Sequence, residues 1–302
     1  MKNLTQEQLV AKEVGVPITD FVCETTSPKP LPERPQNSHK GTFGTATLLC
    51  GSYGMVGAEI LAARAALRCG VGLVRAVVCE KNYAPFSAAV PEAVTLPVST
   101  SPMGGMVVTE KQMTAALTGA DSLLIGCGLG QSDAARQAVF DALRKTGVPT
   151  VLDADGINAV CGNIQFIKET KAPVIVTPHP GEMARLLGVC VAEVEQDRVG
   201  VATRFATENH CTVVLKGFRT VIAFENGRVL VNRTGCSGLA TGGSGDVLSG
   251  MLVSLLAQGL SVEDAVETAV YWHGRAAESA AERLSERALL PSDVTEELFI
   301  MR

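Results

Sequence analysis

The sequence lacks the signatures of several common kinds of site. Its nine cysteines include no Cys-x-x-Cys pair and its four histidines lie far apart, so the spacing of a structural zinc site is missing. Lysine and arginine are scattered along a chain of net charge −5, which removes the electrostatic surface expected of a nucleic-acid-binding protein. No Gly-x-x-x-x-Gly-Lys-Ser/Thr segment occurs, and this excludes a Walker-type nucleotide hydrolase. We expect reduced, mostly buried thiols and no nucleic-acid partner.

The sequence also lacks the apolar stretches that are typical of secretory signals and of membrane-spanning helices. The residues from Met1 to Gln8 are polar where a secretory signal carries an apolar segment, so no export is expected. The longest uncharged run, Val247 to Val262, is interrupted by glycine, serine and glutamine residues. This run therefore predicts a buried helix rather than a membrane span.

The residues that are present favour a packed α/β domain. Hydrophobic residues make up 46% and charged residues 19% of the 302 positions, a balance typical of a globular enzyme rather than a disordered chain. Four prolines between Pro28 and Pro35 disfavour regular structure and predict an extended segment, after a short helix near Thr5 to Val14. Length alone permits one or two domains, but no linker is apparent. We predict a lead-in segment over residues 1–38 and a single catalytic domain over residues 39–302.

Strand and helix patterns alternate from residue 45 onward, which indicates a parallel sheet covered by helices on both faces. An Asn-Gly turn at Glu225-Asn226-Gly227 predicts a small antiparallel edge hairpin over residues 220–231. Ligands of such sheets bind at the carboxyl ends of the strands. The predicted strands are 45–50, 73–78, 122–125, 149–152, 173–176 and 212–215, and the predicted helices are 58–69, 133–144, 182–187, 197–208, 246–256 and 262–281.

A glycine-rich loop directly before an apolar helix is the sharpest functional signal. Five glycines lie between Gly235 and Gly245, and Asp246 follows them at the start of the helix. Glycines allow backbone N–H groups to turn inward, and a helix N-terminus attracts phosphate. A carboxylate would repel phosphate, so Asp246 is better explained as a general base that activates a substrate hydroxyl for phosphoryl transfer. The alternative is an ordinary turn in which Asp246 only caps the helix.

Several segments resemble one enzyme family. Gly242-Gly243-Ser244-Gly245-Asp246 resembles the Gly-x-Gly-Asp signature of the ribokinase superfamily, and Leu239 to Gly250 is similar to the signature of its NAD(P)H-hydrate dehydratase branch. Further segments match later blocks of that family in order, from His39 to the C-terminus. They are His39–Gly44, Gly51-Ser52, Gly57-Ala58, Gly70–Val74, Gly126–Gly130, Leu152–Asn158, Thr177–Glu182 and Val214–Gly217.

This resemblance implies a ribokinase-like fold and a hydro-lyase activity. Such an enzyme uses ADP or ATP to dehydrate (S)-NADHX and NADPHX, the hydrated forms of NADH and NADPH, with Mg²⁺ as cofactor. It also implies a cytoplasmic homotetramer that works with an NAD(P)HX epimerase, without a nucleic-acid or membrane partner.

The resemblance also assigns residues. The implied catalytic residue is Asp246; the implied NAD(P)HX contacts are Ala58, Gly128, His179 and Asp246; the implied nucleotide contacts are Lys216, Gly217, Phe218, Arg219, Thr220, Gly243, Ser244 and Gly245. The family usually has Asn-Pro where this chain has Cys236-Ser237, and Pro where it has Cys127. Both changes keep the flanking glycines.

Alternative functions and roles remain open at the sequence level. Asp153 and Asp155 follow a strand and could hold a metal through water, polarise phosphates or stabilise a turn. A dinucleotide-binding oxidoreductase is disfavoured, because Gln131 stands where the third glycine of the fingerprint belongs. A nucleotide-sensing regulatory subunit would not need Asp246. The main alternative is a small-molecule alcohol kinase of the same superfamily, similar to hydroxyethylthiazole kinase.

Overall fold

One sheet organises the chain. The computed structural model describes residues 24–31 and 33–301, and the helix expected near Thr5 lies outside them. Within these residues eleven strands pair in the order β1-β11-β10-β9-β8-β7-β6-β2-β3-β4-β5. The strands are β1 (Glu24–Thr25), β2 (Thr45–Leu49), β3 (Leu73–Cys79), β4 (Val94–Thr100), β5 (Met106–Val107), β6 (Ser122–Ile125), β7 (Thr150–Leu152), β8 (Val174–Val176), β9 (Thr212–Leu215), β10 (Val221–Ala223) and β11 (Val229–Val231).

Strands β9, β8, β7, β6, β2 and β3 pair in parallel in this order, as predicted, and the unpredicted strand β4 continues the parallel run beside β3. The Asn-Gly hairpin is also confirmed, because β10 pairs antiparallel with both β9 and β11. Its turn is closed where Arg228 N donates to Asn226 Oδ1 at 2.9 Å. The hairpin is not the outermost part of the sheet, however, since the unpredicted strand β1 pairs in parallel with β11. A second antiparallel pair, β4 with β5, ends the opposite edge.

Helices connect the strands over both faces of the sheet. They are α1 (Val56–Arg68), α2 (Tyr83–Ala89), α3 (Glu110–Leu117), α4 (Asp133–Lys145), α5 (Asp155–Val160), α6 (Gln165–Glu169), α7 (Pro180–Leu187), α8 (Val191–Gln196), α9 (Arg198–Asn209), α10 (Ser244–Ala257), α11 (Val262–Leu284) and α12 (Pro291–Glu297). The six predicted helices are present with shifted ends. The sequence missed α2, α3, α5, α6, α8 and α12, all of which span eight residues or fewer with little periodicity to detect.

Two apolar layers pack on opposite faces of the sheet. Alternate strand residues point to opposite faces, so Leu49 and Ile125 join one layer whereas Leu48 and Leu124 join the other. The first layer is completed by helices α4, α5, α7 and α9, and the second by α1, α10 and α11. Five of the eight described cysteines are buried in these layers.

Helix α10 is the buried helix that the uncharged run predicts. Gly250 faces α1, where a Cβ would collide with the carbonyl oxygen of Ala62, so glycine allows the two helix backbones to approach closely. Within residues 24–31 and 33–301, no helix combines the length and apolarity that a membrane crossing requires.

The parallel strands place the predicted site residues together, at the carboxyl ends of the strands. Strands β2, β6, β7, β8 and β9 run in the same direction, and their carboxyl ends carry the loops that start at Cys50, Gly126, Asp153, Thr177 and Lys216. Helix α10 begins beside the same edge. The fold therefore brings together segments that are far apart in sequence.

Candidate active site

A cleft of about 690 Å³ opens at the carboxyl ends of β7, β8 and β9. Asp246 and His179 line it, together with every predicted nucleotide contact, namely Lys216, Gly217, Phe218, Arg219, Thr220, Gly243, Ser244 and Gly245. Ala58 and Gly128 are not among the lining residues, but they contact each other, since a Cβ on Gly128 would lie 2.8 Å from the Ala58 Cβ. The predicted residues thus form two groups, joined through Cys127, which precedes Gly128.

The glycine-rich loop gives one wall of the cleft the geometry of an anion site. Gly243 is the N-cap of α10 with φ 103°, a conformation that favours glycine, and a Cβ there would lie 2.7 Å from Leu61 Cδ1. The N–H of Ser244 donates to Thr241 O at 3.2 Å and is therefore engaged within the loop. The N–H groups of the next residues, Gly245 and Asp246, belong to the first turn of α10, whose amides lack partners within the helix. The helix dipole adds positive potential at this point.

The carboxylate of Asp246 lies half-buried at this helix start. Burial, with the nearby negative charge of Asp153, raises its pKa to about 6, while the Cys127 thiol and the Lys216 ammonium act in the opposite direction. One ligand atom each of Cys127, Asp153 and Asp246 lies within 4.8 Å of the others. A carboxyl group with a pKa near neutrality can both accept and release a proton at physiological pH, which a general base requires.

Asp153 and Lys216 form a nearly buried ion pair beside Asp246. Lys216 Nζ lies 2.7 Å from Asp153 Oδ1, although 63 residues separate them in the sequence. Ser249 Oγ donates to the other carboxylate oxygen at 2.8 Å, and the N–H of Ala154 donates to Oδ1 at 2.9 Å. Burial alone would lower the pKa of Lys216, but the carboxylates of Asp153 and Glu182 outweigh it and raise the pKa, so the ammonium persists. A fixed positive charge therefore faces the cleft.

Asp155, which the sequence left with three possible roles, holds a turn together. Its Oδ2 accepts from the N–H of Gly130 at 2.8 Å, and its Oδ1 accepts from the side chains of Gln131 and Asn158 at 3.2 Å each. These bonds tie the Gly126–Gly130 loop to helix α5.

His179 caps the short helix α7 at the cleft. Its Nδ1 accepts from the N–H of Gly181 at 3.0 Å, and Glu182 Oε2 accepts from the N–H of His179 at 2.8 Å, which is a reciprocal capping box. Because Nδ1 accepts a hydrogen bond, the ring proton of the neutral imidazole resides on Nε2. The side chain is 51% exposed, so it can contact a ligand.

Two residues with clear roles in the site geometry escaped sequence analysis. Ser249 was read only as an interruption of the apolar helix, yet its position three residues after Asp246 places it on the same helix face, facing Asp153. Arg198 begins α9 and donates to the loop that carries Lys216. The sequence offered no signal for Arg198, because its partners lie on a distant strand.

Comparison with known proteins identifies the family. The NAD(P)H-hydrate dehydratase family profile matches residues 46–299. A bifunctional NAD(P)H-hydrate repair enzyme of Moorella thermoacetica is 38% identical over 274 residues, covering 90% of this chain and 52% of the relative. The chain thus spans about half the length of such bifunctional relatives. An ADP-dependent (S)-NAD(P)H-hydrate dehydratase of Bacillus subtilis is 38% identical over 267 residues, covering 88% of this chain and 91% of the relative.

Solved structures agree with the sequence comparison. The ADP/ATP-dependent NAD(P)H-hydrate dehydratase of Bacillus subtilis, co-crystallized with ATP/Mg²⁺, has a TM-score of 0.75 at 34% identity, covering 89% of this chain and 92% of that one. A ribokinase-like superfamily protein of Enterococcus faecalis has a TM-score of 0.76 at 28% identity, covering 89% of both chains. A hydroxyethylthiazole kinase of Pyrococcus horikoshii, at 17% identity and a TM-score of 0.58 over 86% and 87% of the two chains, shares the fold alone. The predicted ribokinase-like fold is confirmed, and the chain belongs to the NAD(P)H-hydrate dehydratase family.

Proposed function

We propose that this protein is a hydro-lyase that uses ADP or ATP to dehydrate (S)-NADHX and NADPHX and so restores NADH and NADPH. The observation that carries the proposal is the position of Asp246, whose carboxyl group has a pKa of about 6 at the start of a helix that borders the cleft. Family membership selects the hydrated nicotinamide nucleotides as the hydroxyl substrate.

The first step is phosphoryl transfer to the C6 hydroxyl of the hydrated ring. Asp246 accepts the hydroxyl proton while the oxygen attacks the terminal phosphorus of the nucleotide, and the bond from that phosphorus to the bridging oxygen breaks. The amides at the start of α10 and the Lys216 ammonium stabilise the negative charge on the transferred group. AMP leaves when ADP is the donor, and ADP leaves when ATP is the donor.

The second step is elimination. A phosphate ester is a far better leaving group than hydroxide, so the lone pair of the ring nitrogen expels phosphate from C6. Loss of a proton from C5 then restores the double bond of the dihydropyridine. Atoms balance as NAD(P)HX and ADP giving NAD(P)H, phosphate and AMP, with the corresponding balance for ATP.

We propose that each of the two groups of predicted residues binds a different substrate. We assign the nucleotide to Gly243, Ser244, Gly245 and the Lys216–Thr220 loop, all of which line the cleft. The hydrated ring is assigned to His179 and to the surface formed by Ala58 and Gly128. Asp246 lines the cleft, and its carboxylate lies within 4.8 Å of the Cys127 thiol, which precedes Gly128. We therefore assign it to the point where one substrate attacks the other.

The carboxylates of the site fit a Mg²⁺ ion that would be held mainly through water and the substrate phosphates. Both oxygens of Asp153 already accept hydrogen bonds, so the protein offers no closed cage of ligands. Mg²⁺ prefers oxygen donors, keeps several waters and commonly uses one or two carboxylates with substrate phosphates. Asp153 would hold the ion through water. The ion would neutralise charge on the phosphates during transfer.

The cellular setting is also a proposal. The relatives that are bifunctional NAD(P)H-hydrate repair enzymes support a functional partnership with an NAD(P)HX epimerase. The free cysteines of the described residues support a cytoplasmic location, because thiols stay reduced there. We further propose a homotetramer and a single catalytic domain over residues 39–302, preceded by a lead-in segment.

The direct test is to incubate the protein with NADHX and ADP or ATP while following the recovery of NADH absorbance. Recovery should require the nucleotide, and Asp246→Asn should reduce its rate by about 10²–10⁴-fold, because a general base typically contributes that much. Binding of ADP to Asp246→Asn, measured by calorimetry, checks that the cleft persists. Consumption of a thiazole or pyrimidine alcohol in place of NADHX would favour the kinase alternative, and full activity of Asp246→Asn would contradict the mechanism.

A further inference from the structure

A buried arginine supports the loop that carries Lys216. Arg198 is the first residue of α9 and is 5% exposed. Its Nη1 donates to Phe218 O at 2.5 Å, and its Nη2 donates to Leu215 O at 3.1 Å and to Lys216 O at 3.4 Å. One guanidinium group thus holds three carbonyl groups between the end of β9 and the cleft.

The position of this side chain is unfavourable in isolation. Burial of a charged group costs free energy, and burial lowers the pKa of Arg198. A cation at the first residue of a helix also meets the positive end of the helix dipole. The nearest carboxylate, Glu195, lies 3.9 Å from Nε and is 51% exposed, so it offsets little of this cost. The three carbonyl oxygens are therefore the groups that stabilise the guanidinium.

Other hydrogen bonds hold the two ends of this loop, since Thr220 Oγ1 donates to Gly217 O at 3.2 Å and the N–H of Asn232 donates to Thr220 O at 2.9 Å. Its first residue is held where the Lys216 N–H donates to Pro178 O at 2.8 Å. The ring of Phe218 is 71% exposed at the cleft. Without the guanidinium, the carbonyls of Leu215, Lys216 and Phe218 would lose a charged donor, and a buried acceptor without a partner drives local rearrangement.

We propose that Arg198 is a positioning residue for the nucleotide site, which fixes the Lys216–Phe218 backbone in the conformation that receives the phosphates. The planar guanidinium can donate to several carbonyls at once in a fixed geometry, whereas a lysine ammonium is a point charge. This inference rests on the proposed function, because it assigns the loop to ADP or ATP.

The test measures ADP affinity by calorimetry in Arg198→Met and Arg198→Lys. Hydrogen bonds to charged groups typically contribute about 10- to 100-fold to an equilibrium constant, and we expect an increase of this order in the Kd for ADP of Arg198→Met. Arg198→Lys should lie between that variant and the wild type. In steady-state kinetics the KM for ADP should rise while the KM for NADHX stays unchanged, a separation that general destabilisation does not produce.

Arg204→Met is the matched control. Arg204 lies on the same helix and pairs with Asp197 at 3.4 Å, with its side chain 63% exposed, so its loss should leave ADP affinity unchanged. Circular dichroism and thermal unfolding establish that each variant is folded, and Arg198→Lys decides the question if Arg198→Met does not fold. Unchanged ADP affinity in a folded Arg198 variant overturns the inference. Wild-type protein that binds ADP but does not dehydrate NADHX would instead overturn the proposed function. The ADP affinities of the Arg198 variants and the wild type would still test the role of Arg198.

Discussion

At the scale of single residues, the reactivity of Asp246 depends on a thiol that the family pattern does not predict. Cys127 is fully buried, its Sγ lies 3.9 Å from Asp153 Oδ2, and its hydrogen bond to Asp246 lowers the pKa of that carboxyl. Burial and Asp153 raise the same pKa. The balance leaves Asp246 deprotonated above about pH 6, and a general base works only in that form.

We expect kcat/KM to fall as the pH drops below about 6, where Asp246 becomes protonated. Cys127→Ala removes the hydrogen bond that lowers the pKa of Asp246, so the acidic limb of the pH profile should move to higher pH. Cys127→Ser keeps a donor and should move the limb less. Cys211→Ala removes a buried thiol elsewhere and serves as the control. An acidic limb that stays in place in Cys127→Ala would show that the thiol does not act on the base.

Glu59 is a second residue whose surroundings set its chemistry. Its side chain is fully buried on α1, and neither carboxyl oxygen has a hydrogen-bond partner. Burial, with the neighbouring Cys50, raises the pKa of Glu59 well above the ordinary value. The carboxyl binds its proton more tightly in the folded state than in the unfolded state. Stability from this group is therefore complete below the unfolded pKa and is lost as pH rises toward the folded pKa.

Glu59→Met should raise the free energy of unfolding at neutral pH by about 1–3 kcal/mol, because it removes an unpaired buried polar group of similar size. The gain should shrink in acid, where Glu59 is protonated in both states. Urea unfolding at neutral and acidic pH measures it. Glu296→Met, at an exposed position, is the control and should change stability little. Equal effects of Glu59→Met at both pH values would contradict the titration argument.

At the scale of elements, the close contact of α10 with α1 fixes where the glycine-rich loop ends. Gly250 faces the backbone of α1 at Ala62, and Gly243 ends the loop two turns earlier. Any displacement of α10 along or away from α1 would carry Asp246 with it. The packing of two helices thus bears directly on the position of the proposed base.

Gly250→Ala tests this contact. An alanine normally favours a helix over glycine by about 1 kcal/mol, but here its methyl group collides with Ala62, and overpacking typically costs about 1–3 kcal/mol. We expect net destabilisation in urea unfolding. Gly57→Ala is the matched control, because Gly57 lies in α1 with open space around its Cα. Stability equal to or above the wild type in Gly250→Ala would show that the helices can separate without cost.

At the scale of the whole molecule, the cleft joins segments that are spread from Asp153 to Gly274, so ligand binding should stabilise the complete fold. ADP at about 100 times its Kd should add about 2.7 kcal/mol to the free energy of unfolding, by mass action. Thermal unfolding with and without ADP measures this. Lys216→Met should reduce the stabilisation at a fixed ADP concentration, because it removes the positive charge that faces the cleft. If ADP stabilised Lys216→Met as much as the wild type, the phosphates of ADP would not bind beside Lys216.

Much of the fold and the glycine-rich loop before Asp246 were predictable from the sequence, because both depend on residues that are neighbours in the chain. The alternation of apolar strands and helices, the Asn-Gly turn and the glycine loop before Asp246 are all encoded within short segments. The cap of α4 is a local feature of the same kind, because the Ser132 side chain accepts from the N–H of Ala135 three residues later. Strands β1, β4 and β5 were missed, because two are only two residues long and the third contains Pro97.

By itself the sequence determined the α/β alternation, the family resemblance and the glycine-rich loop with its carboxylate. Only the tertiary structure decided which distant groups shift the pKa of that carboxylate, among them Asp153, Cys127 and Lys216. It also decided that Glu59 and Arg198 are buried. Turns and helix caps arise from local hydrogen bonds, whereas these contacts depend on the order in which parallel strands assemble, which local periodicity does not encode.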